Sequence, residues 1–112
     1  MKREAKVLTH QEIITALREN LESLKKFKVK KIGLFGSYKR DEQRKKSDID
    51  LLVEFDKSAF DKNLTGYSDN CDALLHELKK TLGQKIDLVT QDMVSPFIRP
   101  YIEREIEYLE TT

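Results

Sequence analysis

The seven residues Ser47-Asp48-Ile49-Asp50-Leu51-Leu52-Val53 constrain this chain more than any others. An apolar run suited to a buried strand opens with two aspartates that flank one isoleucine. Side chains at i and i+2 of a strand point to the same face. Asp48 and Asp50 therefore stand side by side, with Ile49 and Leu51 facing the other way. Two adjacent carboxylates repel, and the arrangement is costly unless a proton or a cation lies between them. Ten residues earlier a second apolar run, Lys31 to Phe35, ends in Gly36-Ser37. Glycine lets a backbone approach a ligand closely, serine adds a hydroxyl, and N–H groups at such a turn can receive a phosphate.

The remaining elements are read by their periodicity. Thr9-His10-Gln11-Glu12 has the spacing of a capping box. Ile13, Ile14, Leu17, Leu21 and Leu24 follow at intervals of three and four, which predicts a helix over about 10–26 with one apolar stripe. Residues 1–8 are polar and expected to be flexible. Tyr38 to Lys46 reads as a charged loop or short helix, Asp48 to Phe55 as a strand covered on both faces, and Asp56 to Thr65 as an irregular connection. Tyr67, Cys71, Leu74, Leu75, Leu78 and Leu82 predict a helix over about 66–82, ended by Gly83 in the left-handed conformation. Lys85 to Thr90 predicts a third strand, with Asp87 between Ile86 and Leu88. Ser95-Pro96 resembles a helix cap, and Tyr101, Ile102, Glu105, Ile106 and Leu109 predict a final helix. The order helix, strand, strand, helix, strand, helix predicts an α+β (α/β-like) fold: a small mixed sheet with helices packed on it.

At 112 residues, the chain is expected to form one domain. A net charge of +1 argues against a general polyanion binder, so direct nucleic-acid binding is not expected. Lys25, Lys26, Lys28, Lys30 and Lys31 read as cations at a helix C-terminus, where the dipole favours them; they lack the interleaved aromatics of a single-strand binder. No apolar run is long enough to span a bilayer, no signal-peptide pattern follows Met1, and the one cysteine, Cys71, suits a reducing compartment. A cytoplasmic location and no membrane association are expected. His10 and His76 read as helix-surface residues rather than zinc ligands, and Cys71 as a small core residue. Tyr101, Glu103, Arg104 and Tyr108 read as a surface of the last helix, facing either solvent or a partner.

Asp87 alone has an ordinary reading, a strand-end residue facing water. If its strand neighbours that of Asp48 and Asp50, three oxygen donors meet on one patch. Such donors suit magnesium, which keeps waters and completes its octahedron with substrate phosphates. Two ions at such a site can activate an attacking hydroxyl and neutralise a pyrophosphate leaving group.

Phe35-Gly36-Ser37, a gap of ten, then Asp48-Ile49-Asp50-Leu51 resembles the signature of the polymerase-β-type nucleotidyltransferase superfamily, and the short chain is most similar to its minimal members. The resemblance implies that Gly36 and Ser37 grip the triphosphate of ATP and that Asp48 and Asp50 bind metal. It implies that Asp87 is the third acidic residue, a base on the acceptor hydroxyl and a further metal ligand, and that Arg40 touches phosphate. Asp41 stands where the family often has glycine; aspartate tolerates unusual turn conformations. Relatives of this size resemble antitoxins of two-gene modules whose toxin is an all-helical HEPN-type RNase. That implies transfer of AMP from ATP to a partner's tyrosine. A non-catalytic antitoxin acting by contact and transfer to a small molecule are the alternatives.

Overall fold

A computed structural model describes residues 7–111 of the chain; most of the N-terminal stretch expected to be flexible, residues 1–6, lies outside them. The capping box forms as spaced. The Thr9 hydroxyl accepts from Glu12 N–H and the Glu12 carboxylate accepts from Thr9 N–H, each at 3.1 Å, and helix α1 runs from His10 to Glu19. The predicted single helix is two, because Asn20 interrupts it. The Asn20 side-chain amide donates to the Ala16 carbonyl at 2.6 Å, a local bond that competes with helix continuation. Helix α2 follows over Leu21–Lys26. Ile13, Ile14, Leu17 and Leu24 are buried, as the stripe predicts.

Strand β1 (Val29–Phe35) begins two residues before the predicted start and ends where Gly36 turns the chain. Strand β2 (Ile49–Phe55) starts at Ile49, which leaves Asp48 immediately outside it. Leu51 and Val53 are fully buried and Leu52, on the opposite face, is 4% exposed, so β2 is covered on both sides. The 56–65 connection contains a short 3-10 turn over Lys57–Ala59 and a turn in which the Asp61 carboxylate accepts from Asn63 and Thr65 N–H. Helix α3 (Tyr67–Leu82) ends at Gly83, which has φ +63° as expected. Its return path permits the parallel pairing of strand β3 (Ile86–Thr90) with β2.

The C-terminal region departs from the sequence reading. Ser95 caps only a turn, its hydroxyl accepting from Phe97 N–H. Helix α4 is short, Arg99–Glu105, with Pro100 in its first turn. Leu109 belongs to no helix. Glu107–Glu110 forms strand β4, antiparallel to β1, with Gly33 opposite Tyr108 and Ile32 opposite Leu109. Ile106 and Leu109 satisfy an i, i+3 helical interval, but the free edge of β1 offers a full ladder of backbone partners. Gly33 makes the approach possible: a β carbon there would stand 2.5 Å from Ile106 Cδ1 and 2.9 Å from Tyr108 Cδ1. The sheet order is therefore β3-β2-β1-β4, mixed as predicted but one strand wider.

Candidate active site

Sheet register brings two of the three predicted carboxylates, Asp50 and Asp87, together. In the antiparallel β1–β2 pair Phe35 lies opposite Asp50, and in the parallel β2–β3 pair Asp50 lies opposite Asp87. The end of β1, the start of β2 and the start of β3 thus meet at one end of the sheet. Asp48 is exposed at the rim, just ahead of β2, where a local turn precedes it: Arg44 N–H donates to the Ser47 hydroxyl at 2.8 Å and Ser47 N–H to the Arg44 carbonyl at 2.9 Å.

Asp50 carries the strongest electrostatic signature. Its pKa is pushed up from 3.8 to about 6, first by burial, then by the negative charges of Asp87 and Asp48 and a hydrogen bond with Asp87; only the Arg40 charge opposes this. Two carboxylates held this close repel each other unless a proton or a cation lies between them. Among the described residues, no three His, Cys, Asp or Glu side chains are gathered closely enough to form a metal cage. The donors fit an ion that arrives with its substrate: oxygen ligands only, a closely spaced Asp50–Asp87 pair and Asp48 beside it. That is the usual situation for magnesium, which takes one or two carboxylates plus phosphate oxygens and waters.

The Gly36-Ser37 turn sits against this pair. Gly36 has φ +77°, and a β carbon on it would overlap the Asp50 carboxylate. Lys39 and Arg40 N–H both donate to the Gly36 carbonyl, at 3.1 and 3.2 Å, and Glu42 N–H to the Ser37 carbonyl at 2.9 Å. Asp41 has φ +57°, the left-handed conformation its glycine-like position requires. Tyr38 is buried under the turn, and burial together with the Asp48 charge raises its pKa. A polar cleft of about 350 Å³ opens at the same end of the sheet, lined by Lys45, Lys46, Ser47, Gln84 and Lys85. Ile49 N–H donates to the Lys85 carbonyl there. Another cavity, about 260 Å³ between Lys30, Phe55, Lys57, Tyr67 and Asp92, lies toward the other end of β2 and includes none of the three aspartates.

One residue of this site was not legible in the sequence. Glu105, at the end of α4, accepts from Gly36 N–H at 3.0 Å and takes both Arg40 contacts, Nη1 to Oε2 at 3.0 Å and to Oε1 at 3.1 Å. Arg40 Nε donates to Glu42 at 3.0 Å.

A nucleotidyltransferase domain model matches residues 14–109. The chain belongs to the nucleotidyltransferase family. A Methanocaldococcus jannaschii protein, named as a candidate protein adenylyltransferase, is 42% identical over 103 residues, 90% of this chain and 98% of that one. The protein adenylyltransferase MntA of Thermococcus cleftensis is 33% identical over 104 residues, 92% of this chain and 98% of its own. Among solved structures, one described as a minimal nucleotidyltransferase superposes with a TM-score of 0.73 at 24% identity, covering 92% of this chain and 98% of that one, which supports the fold. A toxin–antitoxin structure with AMP-PNP gives 0.58 at 28% identity, over 94% of this chain and 75% of that one. A complex of tri-AMPylated Shewanella oneidensis HEPN toxin with MNT antitoxin gives 0.51 at 25% identity, over 92% and 70%. The expected α+β nucleotidyltransferase core and the minimal-nucleotidyltransferase resemblance are borne out.

The remaining sequence candidates resolve simply. His10 is half-buried, with Nε2 2.8 Å from Glu107 Oε1, so it ties α1 to β4 rather than lying free on the surface; His76 is exposed. Cys71 is half-buried against the core, and burial raises its thiol pKa. The lysine cluster is spread over local partners. Lys25 pairs with Glu22, Lys30 and Lys31 with Glu54, and Lys28 lies over the Phe60 ring. Tyr108 lies on β4 beneath Lys31, not on the last helix. No helix among the described residues is long and apolar enough to cross a membrane.

Proposed function

We propose that this chain is a magnesium-dependent protein adenylyltransferase that moves AMP from ATP to a tyrosine hydroxyl of a small all-helical HEPN-type toxin, and so acts as its antitoxin in the cytoplasm. The observation that carries the reading is the Asp50–Asp87 pair, charge-strained and in contact with the Gly36 turn. The names of its relatives, among them the MntA adenylyltransferase and the HEPN–MNT complex, support the choice of acceptor.

Asp48, Asp50 and Asp87 would hold two magnesium ions, which would supply charge neutralisation to the triphosphate and the departing pyrophosphate. Gly36 and Ser37 orient the triphosphate, and Arg40 adds a positive charge beside it. Asp87 takes the proton from the acceptor hydroxyl. The acceptor oxygen, freed of that proton, then bonds to the α-phosphorus as the bond from that phosphorus to the bridging oxygen breaks and pyrophosphate leaves. The exposed apolar side chains of Met93, Phe97, Ile98 and Tyr101 support a macromolecular acceptor over a small molecule.

Incubation of the chain with the co-purified product of its adjacent gene, α-labelled ATP and magnesium tests the reading. Label is expected on the partner and is expected to vanish with Asp48→Asn or with chelation of magnesium. Equal labelling by the Asp48→Asn chain contradicts the assigned metal site.

A further inference from the structure

Glu105 is the last residue of α4 and lies 69 positions along the chain from Gly36, yet its carboxylate gathers three contacts from the turn. It receives the Gly36 N–H, while the Gly36 carbonyl receives the Lys39 and Arg40 N–H groups. Glu105 therefore fixes one end of a glycine residue whose other end is fixed by the turn itself. That glycine is also the one whose bare α carbon makes room for the Asp50 carboxylate. A rotation of the Gly36 peptide would move the floor on which Asp50 rests.

The same carboxylate holds Arg40. Arg40 uses Nη1 for Glu105 and Nε for Glu42, which leaves the two N–H groups of Nη2 outside these bonds. A planar guanidinium clamped along one edge presents its other edge in a defined direction. The Arg40 charge also acts on Asp50, so the clamped guanidinium lies within electrostatic reach of the carboxylate pair. Burial disfavours a charged Glu105, but the hydrogen bonds from Arg40 and Gly36 N–H, with the Arg40 and Lys39 charges, hold its pKa below the usual carboxylate value. The carboxylate is ionised when it makes these contacts.

We propose that Glu105 is a positioning residue of the nucleotide site: it sets the Gly36 peptide and the Arg40 guanidinium in the geometry that receives the triphosphate, without itself touching the nucleotide. The proposal rests on the nucleotidyl-transfer reading above and extends it to the C-terminal segment. Strand β4, which follows Glu105 and pairs with β1, is then part of the active-site scaffold, since it anchors the end of α4 beside the turn.

The opposite role is physically distinct. A carboxylate seated on two anion donors could be a resident competitor that the triphosphate must displace. The two roles differ in sign. Binding of the β,γ-imido analogue of ATP with magnesium is measured by calorimetry for the wild type, Glu105→Gln, Glu105→Ala, Arg40→Ala and the Arg40→Ala/Glu105→Ala double variant. Positioning predicts about tenfold weaker binding for Glu105→Ala. Glu105→Gln, which keeps an acceptor for Gly36 N–H but loses the charge that holds Arg40, falls between it and the wild type. The double variant binds no more than twofold weaker than the weaker single one, because the two residues act as one unit. In transfer assays KM for ATP rises more than kcat falls, a split that general destabilisation does not produce, and circular dichroism shows the Gln variant folded. Wild-type binding with unchanged or tighter binding by both Glu105 variants overturns the proposal alone. A wild type that binds no nucleotide overturns the functional reading and the proposal with it.

Discussion

Gly36 and Asp50 are in such close contact that a β carbon on the glycine would overlap the aspartate's carboxylate, and the glycine has φ +77°. The contact leaves no room for a side chain at position 36 unless Asp50 moves, and the left-handed backbone adds strain to any residue with a β carbon. Gly36→Ala is expected to cost about 1–2 kcal/mol from the left-handed backbone alone, and more from displacement of Asp50. Urea unfolding checks the stability loss. Loss of AMP transfer well beyond the fraction of unfolded protein checks that Asp50 has moved.

The Asp50–Asp87 pair predicts a pH dependence whose sign follows from the direction of the shift. Asp50 has its pKa raised from 3.8 to about 6, so the folded protein holds that proton more tightly than the unfolded chain does. Its contribution favours folding at low pH and is lost as pH rises from about 4 through about 6. Metal-free Asp50→Asn, which cannot ionise, is expected to have a higher Tm than the wild type at pH 7 and little advantage at pH 4. Magnesium together with nucleotide should raise the wild-type Tm at pH 7 and much less at pH 5, where Asp50 is largely protonated. Thermal melts at the two pH values, with and without ligand, check both statements.

Strand β4 depends on the missing side chain at Gly33. A valine there would drive into Ile106 and Tyr108, whose atoms lie 2.5 to 2.9 Å from the position of a first carbon. Gly33→Val is expected to destabilise the fold by about 1–3 kcal/mol, as overpacking usually does. Loss of amide protection in hydrogen exchange at Glu107 and Leu109, whose N–H groups face β1, with Leu74 and Leu78 on α3 still protected, would localise the damage to β4.

Much of this architecture can be read from residues that act locally. Thr9 and Glu12 cap α1, Gly83 ends α3, and the aspartate pattern at Asp48 and Asp50 marks the head of a central strand. Asp41, odd in sequence where a glycine is expected, adopts the left-handed conformation that explains why either residue serves. What escapes a sequence reading depends on contacts between distant segments. Asn20 breaks a helix through a bond to Ala16 that a helical spacing does not reveal. Ile106 and Leu109 fit a helix by interval and join a sheet because the edge of β1 is open and Gly33 has no side chain. Glu105 reads as an ordinary helix residue; only the packing of α4 beside β1 brings it to Gly36 and Arg40.

Transfer of AMP to a protein hydroxyl is the central claim, and intact-mass spectrometry of the adjacent gene's product tests it most directly. The partner is co-expressed with the wild-type chain or with the Asp48→Asn/Asp50→Asn chain, and its toxicity is scored in the same cells. The account predicts a partner carrying added AMP and non-toxic with the wild type, and an unmodified, toxic partner with the double variant. An unmodified partner that both chains neutralise equally would contradict it.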